Sequence, residues 1–175
     1  TGECGAGKST ICASLKSKGH RFLADDISVV TMDISGNPVV QPAFPQQRLC
    51  CDTANSVGYN TAELQIACKE DSKLIVSDSD LFAREPIQLA AIIELLPEIE
   101  CDVSLTKITG AEKLEKIIKG IYCNVLLQRI GINFRLFNQC LIVAKKIEFY
   151  KLERPVGKFT VEEQIELVKE VLEYS

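Results

Sequence analysis

The sequence predicts an α/β fold of the phosphate-loop, nucleotide-binding class, and three observations carry that reading. Residues 2–9, Gly2-Glu3-Cys4-Gly5-Ala6-Gly7-Lys8-Ser9, fit the pattern G-x-x-x-x-G-K-[ST]. Two adjacent carboxylates, Asp25 and Asp26, follow seventeen and eighteen residues after Lys8 at the end of a short apolar run. Helical and extended patterns then mix along the whole chain without a repeat, a low-complexity tract or a linker, which predicts one domain over residues 1–175.

The elements follow in order. Ser9–Lys18 reads as the helix after the loop, with Ile11, Cys12 and Leu15 on one side and Gly19 as its stop. Arg21-Phe22-Leu23-Ala24-Asp25 predicts a short strand ending in the two carboxylates. Ile27–Asp33 and Val39–Gln41 predict a hairpin about the turn Ser35-Gly36-Asn37-Pro38. Pro42 and Pro45 break the chain, and Leu49–Cys68 reads as loop with a short helix. Lys73–Val76 predicts a strand, with a solvated acidic turn around Asp71, Asp78 and Asp80. Gln88–Leu96 is apolar enough for a buried strand ended by Pro97. Thr109-Gly110-Ala111-Glu112 is a capping box, so a helix is predicted from Ala111 into the 120s on Leu114, Ile117, Ile118 and Ile121. A helix over Phe134–Ala144 and a strand over Ile147–Leu152 come next. Thr160-Val161-Glu162-Glu163 is a second capping box, opening a final helix with an ordinary exposed acidic face.

Composition narrows the function. A net charge of −4 and a pI near 5.2 argue against nucleic acid as the partner. No apolar run is long enough to cross a bilayer, so no membrane partner is expected. Eight cysteines without a C-x-x-C pair, and a single His, argue against zinc. Their irregular spacing reads as reduced thiols of a cytoplasmic protein, most of them small core residues. Cys4 is the exception, since it sits inside the phosphate loop, where it reads as a small filler residue ahead of a redox sensor. A phosphate loop normally hangs from a strand, and only Thr1 precedes Gly2. The domain is therefore expected to lack its N-terminal strand and to hold nucleotide weakly.

The loop carries the chemistry. Its glycines let successive N–H groups surround a phosphate, and the helix that follows turns its positive end to the same place. Gly2, Gly5, Ala6, Gly7, Lys8, Ser9 and Thr10 are the expected nucleotide-binding residues, with Lys8 at the β/γ-phosphates and the Ser9 hydroxyl on Mg²⁺. One helix separates the loop from Asp25 and Asp26. One carboxylate there can interact with Mg²⁺ while the other takes a proton from an attacking hydroxyl. A transferring phosphoryl group needs a further cation. Arg48, Arg84 and Arg129 are the candidates, and Arg48, which follows a proline-rich break, could project into the site from a loop.

The run from Gly2-x-x-Gly5-x-Gly7-Lys8-Ser9 through Gly19-His20-Arg21-x-Leu23-Ala24-Asp25-Asp26 resembles the C-terminal kinase domain of HPr kinase/phosphorylase. The likeness covers about the first 30 residues in sequence and spacing. Three looser elements, Pro45-x-x-Arg48-Leu49, Glu85-Pro86-x-x-Leu89 and Phe149-Tyr150-x-Leu152-Glu153-x-Pro155, resemble the HPr-kinase-like proteins that include lasso-peptide precursor kinases. The resemblance implies a fold like the nucleotide domain of ATP-type PEP carboxykinase. It also implies an ATP- and Mg²⁺-dependent serine kinase acting on a small protein or precursor peptide. By motif position Asp26 matches the general base, Asp25 its neighbouring carboxylate, and Gly5, Gly7, Lys8 and Ser9 the phosphate and metal groups. The metal would lie on Ser9 and Asp25. Hexamers occur in the family, so a homo-oligomer is compatible with the resemblance. The family's catalytic His precedes the loop, whereas His20 follows it and reads as a structural or surface group. The Glu-Ile-Arg-Gly element and later Gly-rich loop of HPr kinases proper do not occur.

Two other readings stand beside the kinase. A nucleotide-dependent switch would order loops for a partner and move no phosphate. A small-molecule kinase would carry an Arg-rich lid, and no clustered Arg segment is present.

Overall fold

The computed structural model describes residues 1–68, 73–122 and 124–173. The chain is a mixed α/β protein that forms two compact units. The first comprises Thr1–Ala6, Met32–Val39 and Gln88–Ser175, and the second Gly7–Thr31 and Val40–Ile87. Asp71 and Cys123 lie outside the described residues.

The second unit is built on a three-stranded antiparallel sheet in the order β3 (Gln46–Cys50), β5 (Lys73–Ser77), β4 (Gln65–Cys68). Leu49 lies opposite Leu74, and Gln47 opposite Val76. Outward and inward positions alternate strictly along β3, as a half-buried strand requires. The helix after the loop, α1 (Lys8–Ser17), and the short α2 (Cys51–Ser56) pack on this sheet. Ala13, Leu49, Ala54, Leu74 and Val76 form the core, with Val57, Tyr59 and Leu64 against it. Burying a side chain such as Leu49 or Val76 contributes about 1.5–3 kcal/mol each. Lys16 is buried on α1. Its ammonium lies 5.7 Å from the Phe22 ring centroid, 5.5 Å from that of Tyr59 and 3.9 Å from the Asp78 carboxylate. That cation–π sandwich and ion pair compensate the buried charge. The expected acidic turn is present: Asp78 Oδ1 accepts from the N–H groups of Asp80 and Leu81.

The first unit holds a sheet in the order β7 (Ala91–Glu98), β9 (Glu148–Pro155), β8 (Ser104–Ile108). β7 runs parallel to β9, with Leu95 opposite Leu152, and β8 runs antiparallel to β9. Three helices, α3 (Gly110–Lys119), α4 (Asn124–Ile130) and α5 (Phe134–Lys146), connect β8 to β9, and α6 (Val161–Glu173) follows. Phe149 and Leu152 of β9 and Ile165 of α6 are fully enclosed. No described helix is long and apolar enough to cross a membrane.

The hairpin forms as expected, with β1 (Val29–Met32) and β2 (Pro38–Gln41) as its arms and the two-residue β6 (Ile87–Gln88) beside β2. Asp33 shapes the turn by accepting from the N–H groups of Ser35 and Asn37, both at 2.8 Å. Gly36 supplies the positive φ of 73°.

Several expectations are corrected. Arg21–Asp25 is not a strand; Phe22 alone bridges Phe82. The backbone of Phe22 bonds Leu81 and Ala83 while that of Leu23 bonds Ala43, so the segment is shared between two neighbours and builds no ladder. The stretch read as loop and short helix also contains the end of β3, and β4, whose four residues gain their pairing only from β5. Pro97 does not end its strand, which runs one residue further to Glu98. The Thr109 hydroxyl makes no cap, because Gly110 turns the chain to a φ of 63° at the first helical position. That helix stops at Lys119, and α4 is a separate helix. The cysteines are mostly not core residues. Cys4, Cys12, Cys50 and Cys51 are exposed, Cys101 is half-buried, and only Cys140 of those six free thiols is buried.

Candidate functional site

In the first unit the loop begins on β7. The Thr1 amine donates to the Ile93 carbonyl at 2.6 Å, and the Leu95 N–H donates to the Thr1 carbonyl at 3.0 Å. This spacing places Thr1 beside Glu94 in parallel register. Gly2 must be glycine there: its φ is 133°, and a Cβ would come within 2.6 Å of the Leu95 carbonyl oxygen. Residues 3–6 then fold on themselves, the Ala6 N–H donating to the Glu3 carbonyl at 3.2 Å. Ala6 is fully buried. On their other side the Gly5 and Ala6 carbonyls meet the guanidinium of Arg154, from the end of β9, at 3.4 and 2.8 Å.

In the second unit Gly7, at φ 104°, caps α1 with no side-chain cap, and the helix starts at Lys8. Its first turn carries no acidic residue. A helix start with positive backbone character, a lysine and a hydroxyl at Ser9 is chemically suited to an anion. The Thr10 hydroxyl shares a hydrogen bond with that of Thr53 at 3.2 Å, which fixes Thr10 against α2.

Strand β3 ties this helix start to the carboxylate pair. The buried Gln47 donates its amide to the Ser9 carbonyl at 3.0 Å. The next residue, Arg48, donates its backbone N–H to Asp25 Oδ2 at 3.0 Å, and its guanidinium pairs with Asp26. Arg48 Nε also stands 3.8 Å from Asp25 Oδ2. Asp25, Asp26 and Arg48 are thus brought together. Burial pushes the Asp25 carboxyl above its usual value, and the negative charge of Asp26 adds to this, against the pull of the Arg48 N–H and guanidinium. Asp26 and Arg48 stay about half exposed.

Arg84 is exposed in its loop, and Arg129 is exposed on α4. Within the second unit, Arg84 makes no ion pair with Asp25 or Asp26 among the described residues. His20 is exposed just after α1. No group of three or more His, Cys, Asp or Glu side chains forms a metal cage among the described residues.

Two residues of this arrangement carry no sequence signal. Gln47 occupies an inward strand position that apolar patterning would assign to a hydrophobe. Its Oε1 is buried without a hydrogen-bond partner among the described residues. Arg154 reaches the loop across 148 residues of sequence. No protein-family model matches this chain, and no curated protein or solved structure does either.

Proposed function

We propose that this chain is an ATP- and Mg²⁺-dependent serine kinase of the P-loop class. It would transfer the γ-phosphate to a Ser hydroxyl of a small protein or precursor peptide. The observation that carries the reading is strand β3. Its consecutive residues Gln47 and Arg48 fasten the lysine-bearing helix start and the Asp25–Asp26 pair to one rigid element. Precise placement of charge is most of what phosphoryl transfer asks of a protein.

Each residue then has a role. Backbone N–H groups of the glycine loop and Lys8 hold the nucleotide phosphates. Oxygen donors suit Mg²⁺, and the donor set here is all oxygen: the Ser9 hydroxyl and the Asp25 carboxylate. When bound, the ion supplies charge neutralisation for the phosphates. Asp26 accepts the proton of the acceptor hydroxyl as its oxygen bonds to the γ-phosphorus and the bond from that phosphorus to the bridging oxygen breaks. The Arg48 guanidinium offsets the charge spread over the transferring group.

The experiment is transfer of label from γ-labelled ATP with Mg²⁺, offering HPr and a precursor peptide ending in Ser as separate acceptors. Label on either acceptor, reduced about a hundredfold or more by Asp26→Asn, is the expected result. Full transfer by Asp26→Asn would remove Asp26 as the base. The Arg48–Asp26 ion pair favours a second reading, because it occupies the carboxylate. In a nucleotide-dependent switch, ATP would rearrange that pair to dock a partner. ATP-dependent partner capture that survives Asp26→Asn, with no label moved, selects the switch.

A further inference from the structure

We infer that Arg154 is a positioning residue that presets the phosphate loop, a role that rests on reading residues 2–9 as that loop. A loop that binds phosphate must turn N–H groups toward the anion and carbonyls away from it. Carbonyl oxygens left on the binding side would repel the ligand. In this chain the carbonyls of Gly5 and Ala6 are gathered on one side and capped by one guanidinium. Arg154 Nε donates to the Ala6 carbonyl at 2.8 Å, Nη2 to the Gly5 carbonyl at 3.4 Å, and Nη1 to the carbonyl of its own neighbour Pro155 at 3.3 Å. All three nitrogens are thereby directed at backbone oxygen.

The peptide plane makes the consequence definite. In a trans peptide the C=O and the N–H point in opposite directions. A guanidinium holding the Ala6 carbonyl therefore sets the N–H at the far end of the same peptide away from Arg154. The Gly5–Ala6 peptide is held at both ends, since its N–H donates to Glu3. Arg154 is suited to the task because its charge is permanent and its fork is planar, so two carbonyls are held in a fixed relation. It stands on β9, whose parallel pairing with β7 also carries Thr1 and the close approach of Gly2. The loop is thus held from below at Gly2 and from the side at Gly5 and Ala6. Arg154 is accordingly not a phosphate ligand.

The test is calorimetric binding of inorganic tripolyphosphate, Mg·ADP, Mg·ATP and adenosine to the full chain, its Arg154→Gln variant and its Arg154→Lys variant. Loss of one charge-assisted clamp should weaken the three phosphate-bearing ligands together, about ten- to hundredfold in Arg154→Gln, and leave adenosine unchanged. Arg154→Lys keeps the charge but loses the planar fork that holds the two carbonyls in a fixed relation, so it should fall between. Amide exchange at residues 5–7 of the nucleotide-free variants should be faster than in the parent chain. A merely structural role would not produce this pattern, since loss of fold weakens adenosine as well. Undiminished phosphate affinity in the variants overturns the proposal while leaving the phosphate loop standing. So does a drop confined to ATP with a reduced salt dependence, which marks direct phosphate contact. A parent chain that binds neither tripolyphosphate nor ATP overturns the loop reading itself, and the role of Arg154 with it. If Arg154→Gln does not fold, Arg154→Lys decides: intermediate weakening supports the role, and parental affinity refutes it.

Discussion

Replacing Arg48 by Ala should separate stability from catalysis. The guanidinium is 48% exposed and its partner Asp26 49% exposed, so their ion pair is surrounded by water. Exposed pairs of this kind contribute about 0–1 kcal/mol. Asp25 keeps its bond from the residue 48 backbone N–H, which the substitution does not remove. The expected loss of stability is therefore within about 1 kcal/mol, read from urea unfolding. Catalysis should respond differently. A preorganised group aimed at charge that develops in the transition state is typically worth about 2.7–4 kcal/mol, or about 10²–10³ in kcat. If Arg48 acts on the transferring group and not on the bound ground state, as proposed, KM for ATP should change little. Arg48→Lys should rescue only partly, because a point charge does not replace a planar fork. The assay is the rate of label transfer from γ-labelled ATP at saturating acceptor. An unchanged kcat in Arg48→Ala refutes the assignment. A fall in kcat accompanied by more than about 2 kcal/mol of lost stability refutes the premise that the pair is energetically minor.

Two further outcomes follow from the geometry. Gly2→Ala should destabilise the nucleotide-free protein by about 1–3 kcal/mol, because the backbone conformation is strained for any L side chain and the added Cβ meets the Leu95 carbonyl; equal urea midpoints for the two proteins would contradict this. Asp25 has its carboxyl raised by burial, so the folded state holds the proton to higher pH than the unfolded chain, whose aspartates titrate near about 3.9. Stability should therefore fall as pH rises from there through the raised value and level off above it; Asp25→Asn should remove that component, and identical pH slopes in both proteins would refute the assignment.

Much of the fold was legible in local chemistry. The Asp33-Ser35-Gly36 turn is written in side chains that bond their own backbone, so the hairpin was readable within a few residues. The helices α1, α5 and α6 follow apolar spacing that needs no distant partner to be recognised. The strands at Lys73–Ser77 and Ala91–Glu98 carry β-branched and leucine-rich runs of the right length, although only Leu95 of the second is buried. Where the sequence misled, the cause was tertiary. The Arg21–Asp25 run has strand character, but its backbone bonds are divided between two segments and no ladder forms. The Thr109 capping pattern was present, and the left-handed Gly110 withheld its geometry.

The candidate site divides in the same way. The glycine loop, the lysine and hydroxyl at the start of α1 and the adjacent carboxylates are legible without a fold, because each is a contiguous pattern whose chemistry depends on neighbours in the chain. The groups that meet those residues come from folding: Arg48 on Asp26, Gln47 on Ser9, and Arg154 on the Gly5 and Ala6 carbonyls. These contacts join residues 22, 38 and up to 149 positions apart. At such separations the partner is chosen by strand register and packing, which no local pattern encodes. Asp25 shows the physical reason most directly: its place beside Asp26 is a property of the sequence, but its raised carboxyl comes from burial that only the folded chain supplies.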